Sequence, residues 1–166
     1  MRRREFITMA GLAAAYWPLR VRAVDDQIRP VANSSRTSRL ILLGTAGGPT
    51  PKPNRAAPAQ VIVVDNTSYV IDCGNGVARQ MILAKLKLAS IRNVFLTHHH
   101  SDHNADYGNL LLLAWATDLA TPVDTYGPPP LANMTRLFLE LNDYDIQTRI
   151  VDEAVSYTHL TLPTKA

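Results

Sequence analysis

Ile91-Arg92-Asn93-Val94-Phe95-Leu96-Thr97-His98-His99-His100-Ser101-Asp102-His103 is the stretch on which the reading of this 166-residue chain turns. Ile91 to Leu96 is apolar and reads as a strand. It runs straight into the pattern His-x-His-x-Asp-His. Imidazoles and a carboxylate packed this closely reach one point only where the backbone turns sharply, as at the end of a strand. Neutral imidazole and carboxylate are ligands that suit zinc and similar divalent ions. The chain holds five histidines in all, so their concentration here marks a candidate metal site.

Around this stretch the periodicities alternate between strand and helix. Arg39 to Leu43 is a short apolar run, expected as a buried strand. Gly44 to Arg55 carries three glycines and three prolines between its ends and is expected as a loop. Gln60 to Asp65 and Ser68 to Asp72 are rich in β-branched residues and flank Asn66-Thr67, which predicts a hairpin. Gly76 to Leu88 has apolar residues at helical spacing. Tyr107 to Leu119 reads as a buried helix and Pro122 to Tyr126 as a strand. Gly127-Pro128-Pro129-Pro130 breaks the chain ahead of a helix from Leu131 to Leu141. Asp145 to Val151 is a final strand candidate. The alternation favours a layered α/β fold.

The two ends stand apart from this pattern. Arg3-Arg4-Glu5-Phe6-Ile7 resembles the twin-arginine export consensus, and the apolar stretch Ile7 to Trp17 is short of the about 20 residues a membrane span needs. Residues 1–23 are therefore expected to be a signal peptide, directing a bacterial product to the periplasm or beyond, with no stable membrane anchor after cleavage. Residues 24–38 read as a linker. Val155 to Thr164 resembles the in-frame translation of a sequencing adapter, so residues 155–166 are expected not to be native, and 39–154 to be the partial domain. His159 falls in that tail and is no ligand candidate.

The overall charge of +3 belongs to the leader. Residues 1–23 hold five arginines and one glutamate, whereas residues 24–164 hold 11 Lys+Arg and 13 Asp+Glu. Along this body no basic run is longer than Lys85 with Lys87. On that ground nucleic acid is not the expected partner. The single cysteine, Cys73, excludes an intramolecular disulfide.

The histidine motif resembles that of the metallo-β-lactamase superfamily. Leu40 to Pro49, with its Gly-Thr-x-Gly-Gly-Pro segment, and Tyr69-Val70-Ile71-Asp72-Cys73-Gly74-Asn75-Gly76 resemble the opening strand and the Asp-x-Gly turn of the same family. The Gly-Thr-x-Gly-Gly-Pro opening with Arg55 just after it is most similar to the ribonuclease Z and arylsulfatase branch. The resemblance covers residues 38 to 152. It implies the N-terminal part of an αββα sandwich, with the second half largely absent.

The same resemblance implies the chemistry. His98 and His100 would hold one ion, and Asp102 and His103 a second. Two zinc ions are expected per intact domain, manganese or iron being alternatives. Asp102 would also orient or deprotonate the water, and Asp72 would fix a ligand imidazole. Arg55 would bind the substrate. Asp72 as a cap on the Gly74 to Gly76 turn, and Asp106 as a helix cap, are readings from the residues alone. His99, the variable position, is expected to point away.

The implied activity is a metal-dependent hydrolase acting on a small ester-like anion, a phosphodiester or sulfate ester. The alternatives are a ribonuclease Z-like tRNA 3′ endonuclease, which export and the missing basic run disfavour, and a β-lactamase. A diiron oxidoreductase is disfavoured by His100, where those relatives carry glutamate. No histidine follows His103 in the body, so the fragment itself is expected to be an incomplete, non-catalytic metal-binding domain.

Overall fold

A computed structural model of the protein describes residues 37–152 and a two-residue strand at 164–165. The expected signal peptide, nearly all of the linker and most of the expected adapter tail lie outside the described residues. Six strands form one sheet in chain order: β1 (Ser38–Gly44), β2 (Ala59–Val64), β3 (Thr67–Ile71), β4 (Ile91–Phe95), β5 (Asp124–Tyr126) and β6 (Thr164–Lys165). β1, β2 and β3 are antiparallel neighbours, and β3 to β6 pair in parallel. Parallel neighbours need crossovers. These are α1 (Val77–Leu83) with a 3₁₀ turn at Leu88–Ser90, then α2 (Ser101–Asn104) and α3 (Tyr107–Trp115). Two further helices, α4 (Leu131–Leu141) and α5 (Asp143–Asp152), follow β5.

The expected hairpin is present, with its turn one residue earlier. Asp65 and Asn66 adopt φ of 47° and 70°. A two-residue turn that matches the twist of its strands needs positive φ at both positions, which Asn and Asp tolerate. β-branched Thr67 does not, and it opens β3 instead.

One face of the sheet is the core. Val61, Val70, Ile91 and Val94 are fully buried against Val77 and Met81 of α1 and Leu110 of α3. The other face is left uncovered by the described residues. Leu40 lies opposite Ile62, and Ile71 opposite Phe95; Leu40, Leu42, Ile62 and Phe95 are exposed, Leu40 by 65%. β1 was expected to be buried. Only Leu43 and Gly44 are, with Ile41 half-buried, because the described helices line one face and β1 has one neighbour among the described strands.

Two further expectations are corrected. The helix expected to reach Leu88 stops at Leu83. Lys85 takes a left-handed φ of 60°, Lys85 N–H donates to Ile82 O, and Leu86 N–H donates back to Met81 O. This is a helix stop of the kind usually built on glycine, and it turns Leu86 back into the core. The strand expected over Asp145 to Val151 is helical. Ile146 and Ile150 are four residues apart, the helical period, and both pack with Trp115. Arg149 pairs with Asp145 one turn earlier at 3.0 Å, supporting the helix.

α4 begins where the Gly-Pro run predicts. Its Phe138 ring lies where a side chain on Gly108 would stand: a Cβ there would be 2.3 Å from the ring. Gly108 thus lets α3 and α4 approach. Tyr107 Oη–H donates to Thr135 Oγ1 at 2.7 Å in the same buried seam, and Thr135 donates to Leu131 O.

Candidate metal centre

β4 ends at Phe95, and the chain then turns through Thr97 to His100 into the single turn of α2. Its position is fixed by the end of β3. Asp72 N–H donates to Phe95 O, Cys73 N–H donates to His103 O, and Asp106 N–H donates to Cys73 O. Gly74 passes so close that a Cβ would lie 2.3 Å from Asp102 O. Two segments some thirty residues apart are thereby tied by backbone bonds, and the motif side chains are left free.

Those side chains gather in two pairs. His98 Nε2 lies 3.1 Å from His100 Nδ1. Asp102 Oδ2 lies 3.6 Å from His103 Nε2. The rings of His98 and His103 are 4.1 Å apart between centroids, so the pairs adjoin. Two nitrogens bound to one tetrahedral ion at about 2.0–2.1 Å stand roughly 3.4 Å apart, so both spacings suit a shared ion with slight adjustment. Among the described residues, no group of three or more His, Cys, Asp or Glu side chains is poised to hold an ion by itself. The donor set fits a divalent ion in type and spacing and falls short in number.

Asp72 organises both pairs from behind. It is buried, in a left-handed backbone conformation of φ 59°. Its Oδ2 accepts from His103 Nδ1 at 2.7 Å, which leaves His103 Nε2 as the open nitrogen. Its Oδ1 accepts from Thr97 N–H at 2.8 Å, and the Thr97 hydroxyl lies 3.0 Å from both carboxylate oxygens. A hydroxyl has one proton. Given to Asp72, it leaves Thr97 Oγ1 to accept from His98 Nδ1 at 2.9 Å. The network thus assigns His98 the tautomer with Nε2 unprotonated. Thr97 carries no signal in the sequence for this role, because the role depends on Asp72, 25 residues earlier.

Asp72 does not cap the Gly74 to Gly76 turn. Asp106 does: its Oδ2 accepts from Gly76 N–H at 2.6 Å, at the start of α1. His99 turns aside, with Nε2 2.7 Å from Pro128 O, and so fastens the loop to the Gly-Pro segment after β5. Cys73 is fully buried. Burial, with the Asp72 and Asp106 carboxylates adding to it, holds its thiol protonated far above the ordinary range, which makes it a packing residue.

Beside the motif runs an open cleft of about 760 Å³. The loop 44–57 and the start of α1 form it, and it reaches Ser101 and Asp102. Arg55 lines it, together with Lys52 and Arg79, two cations that sequence reasoning passed over.

The family model of the metallo-beta-lactamase superfamily matches residues 55–160, and the chain belongs to that superfamily. Ribonuclease Z of Mycobacterium bovis BCG is 36% identical over 118 residues, which cover 69% of this chain and 42% of the relative. Ribonuclease Z of Mycobacterium marinum is 36% identical over the same extent. Among solved structures, the short form of human tRNase Z aligns with a TM-score of 0.60 at 30% identity, over 64% of this chain and 41% of that one. A long-form RNase Z from yeast shares the fold, with a TM-score of 0.56 at 18% identity over 68% of this chain and 17% of that one. The chain therefore spans less than half the length of these relatives.

These findings overturn the expectation that nucleic acid is not a partner, since the relatives are ribonucleases. The expectation failed because it sought basic residues adjacent in sequence. Lys52 and Arg55 stand three residues apart, Arg79 comes well after them, and all three line the folded cleft.

Proposed function

We propose that this chain is the first half of a metal-dependent hydrolase that cleaves RNA phosphodiester bonds. His98 and His100 would hold one divalent ion, zinc being the first choice, and Asp102 and His103 a second. The observation that carries the reading is the adjoining pair of donor pairs buttressed by Asp72. The ribonuclease Z relatives supply the substrate class; of the two ester classes expected from sequence, they favour the phosphodiester.

Bound ions of this kind lower the pKa of water and neutralise charge that develops on a phosphoryl group. The chain's own residues do the rest. Asp72 and Thr97 hold His103 and His98 in the tautomers that present Nε2. Asp102, at the cleft, orients the attacking water and accepts its proton. Arg55 faces the phosphate oxygens. Among the described residues each ion has two donors, fewer than the three or four protein ligands of a complete zinc site.

The test is cleavage of a 3′-extended precursor tRNA by the gene product continued through its native frame. Cleavage abolished by chelation and by Asp102→Ala is expected. Cleavage that survives Asp102→Ala, or no cleavage of any RNA, rejects the reading. The leader-like residues 1–23 support export of the product, and a reporter fused after residue 38 tests that separately.

A further inference from the structure

Asn75-Gly76 forms the turn between β3 and α1, and Asn75 is exposed. Asparagine is a thermolabile residue, most of all before glycine. The backbone nitrogen of the glycine attacks Cγ of the asparagine, and no Cβ stands in its way. The surrounding space is open too, since a Cβ on Gly76 would meet nothing within 4 Å. Any restraint on this reaction therefore comes from hydrogen bonds. Gly76 N–H donates to Asp106 Oδ2 at 2.6 Å. Bonds on either side fix the same peptide group: Val77 N–H donates to Gly74 O at 3.1 Å, and Gly76 O accepts from Gln80 N–H at 2.9 Å. Attack needs the Gly76 nitrogen to give up its proton and to swing toward the Asn75 side chain. The first step develops negative charge beside the Asp106 carboxylate, which disfavours it. The second breaks the bond to Asp106.

We propose that Asn75 is a site of spontaneous deamidation that Asp106 keeps shut while the turn is folded. When the turn opens, the bond from Gly76 N to Asn75 Cγ forms and the Cγ–Nδ2 bond breaks. Ammonia leaves, carrying the proton that Gly76 gave up. Water then opens the five-membered imide at one of its two carbonyls and leaves aspartate or isoaspartate at position 75. Either product adds a carboxylate to the cleft, where Asp102 is the one acid among the lining residues. Isoaspartate also inserts a methylene into the main chain two residues after Cys73, whose N–H holds the motif loop through His103 O. The turn beside the metal motif thus carries a permanent record of having opened. The inference needs neither metal nor substrate and stands independently of the RNA-hydrolase reading.

The experiment incubates the full chain at pH 8, folded and in guanidinium, and follows position 75 by peptide mapping and mass spectrometry. An isoaspartyl methyltransferase assay counts the isoaspartate. Breaking a hydrogen bond to a charged group changes a rate by about 10–100-fold, so the folded wild type is expected to deamidate at Asn75 more slowly than the unfolded chain by that factor. Asp106→Ala, checked for fold by circular dichroism, is expected to recover most of the difference. Asp106→Asn keeps an oxygen acceptor without the charge and is expected to fall between. Asn75→Gln is the control and is expected to yield no isoaspartate at this position. A folded wild type that reacts as fast as the unfolded chain overturns the proposal, and this comparison needs no variant. A folded Asp106→Ala at the wild-type rate overturns it as well. So does a slower one, since the carboxylate would then be drawing the proton from Gly76 and promoting the reaction.

Discussion

Asp72 accepts a 2.7 Å hydrogen bond from Nδ1 of His103, a residue 31 positions further along the chain. The same carboxylate holds Thr97, whose hydroxyl in turn receives His98 Nδ1. One buried charge therefore sets the orientation and tautomer of an imidazole from each donor pair. Partners of this kind raise ligand basicity and fix the ring.

Removal of Asp72 is expected to weaken zinc binding by about 10–100-fold. Thr97→Val breaks only the arm to His98 and is expected to cost less. Competition titration against a chromophoric zinc chelator measures both. Equal affinities in wild type and Asp72→Ala would show that the imidazoles need no carboxylate behind them.

Gly74 is where β3 and the motif loop touch. A Cβ there meets the Asp102 carbonyl at 2.3 Å and the Ala57 side chain at 2.7 Å. The first obstacle is backbone and cannot rotate away. Gly74→Ala is expected to destabilise the domain by about 1–3 kcal/mol and to displace Asp102. Chemical denaturation reads the first effect and zinc titration the second. Gly47→Ala, where a Cβ meets nothing within 4 Å, is the control and is expected to be neutral in both.

Lys85 holds a left-handed conformation as the residue that stops α1. A side chain in that region costs about 1–2 kcal/mol, and glycine returns about 0.5–1 kcal/mol of it to unfolded-chain entropy. Lys85→Gly is therefore expected to stabilise the protein by roughly 0.5–1 kcal/mol, seen as a shifted denaturation midpoint at constant slope. A lower midpoint would mean that the lysine stem makes contacts outweighing the strain.

Tyr107 is buried against Thr135, and burial raises its phenol above the ordinary 10.0, more than its hydroxyl partners lower it. The folded chain then keeps a proton that the unfolded chain releases. The stability this contributes is complete below pH 10 and is lost as pH climbs above it, by up to about 1.4 kcal/mol per pH unit. Denaturation midpoints measured from pH 9 upward are expected to fall more steeply in the wild type than in Tyr107→Phe. Equal slopes would place the phenol in contact with water.

Cys73 gives a simple check on the core beneath the site. The native protein is expected to leave Ellman's reagent unreacted at pH 8, and one thiol per chain is expected to react in guanidinium. A native thiol that reacts within seconds would mean that the Asp72-Cys73-Gly74 turn opens readily.

Several features of this protein are local, and part of what is local was legible in its sequence. The motif side chains His98, His100, Asp102 and His103 lie within six residues, so a strand end suffices to gather them. The β2–β3 hairpin, the strand into the motif and the start of α4 follow from alternation and the Gly-Pro break, the hairpin's turn falling on Asp65-Asn66 where Asn66-Thr67 was expected. The stop of α1 at Lys85 was not legible, because a non-glycine residue took the left-handed position and the core drew Leu86 inward. Ile146 and Ile150 became a helical stripe because Trp115 of another helix was there to cover them. The bare leucines of β1 depend on which face the helices chose. Tertiary structure alone decided the link from Asp72 through Thr97 to His98, the capping of Gly76 by Asp106, and the placing of Arg79 in the same cleft as Lys52 and Arg55. Sequence pattern reports the periodicity of neighbours along the chain. Electrostatic fields and hydrogen bonds act through space, and they join residues only after the fold has brought them within reach.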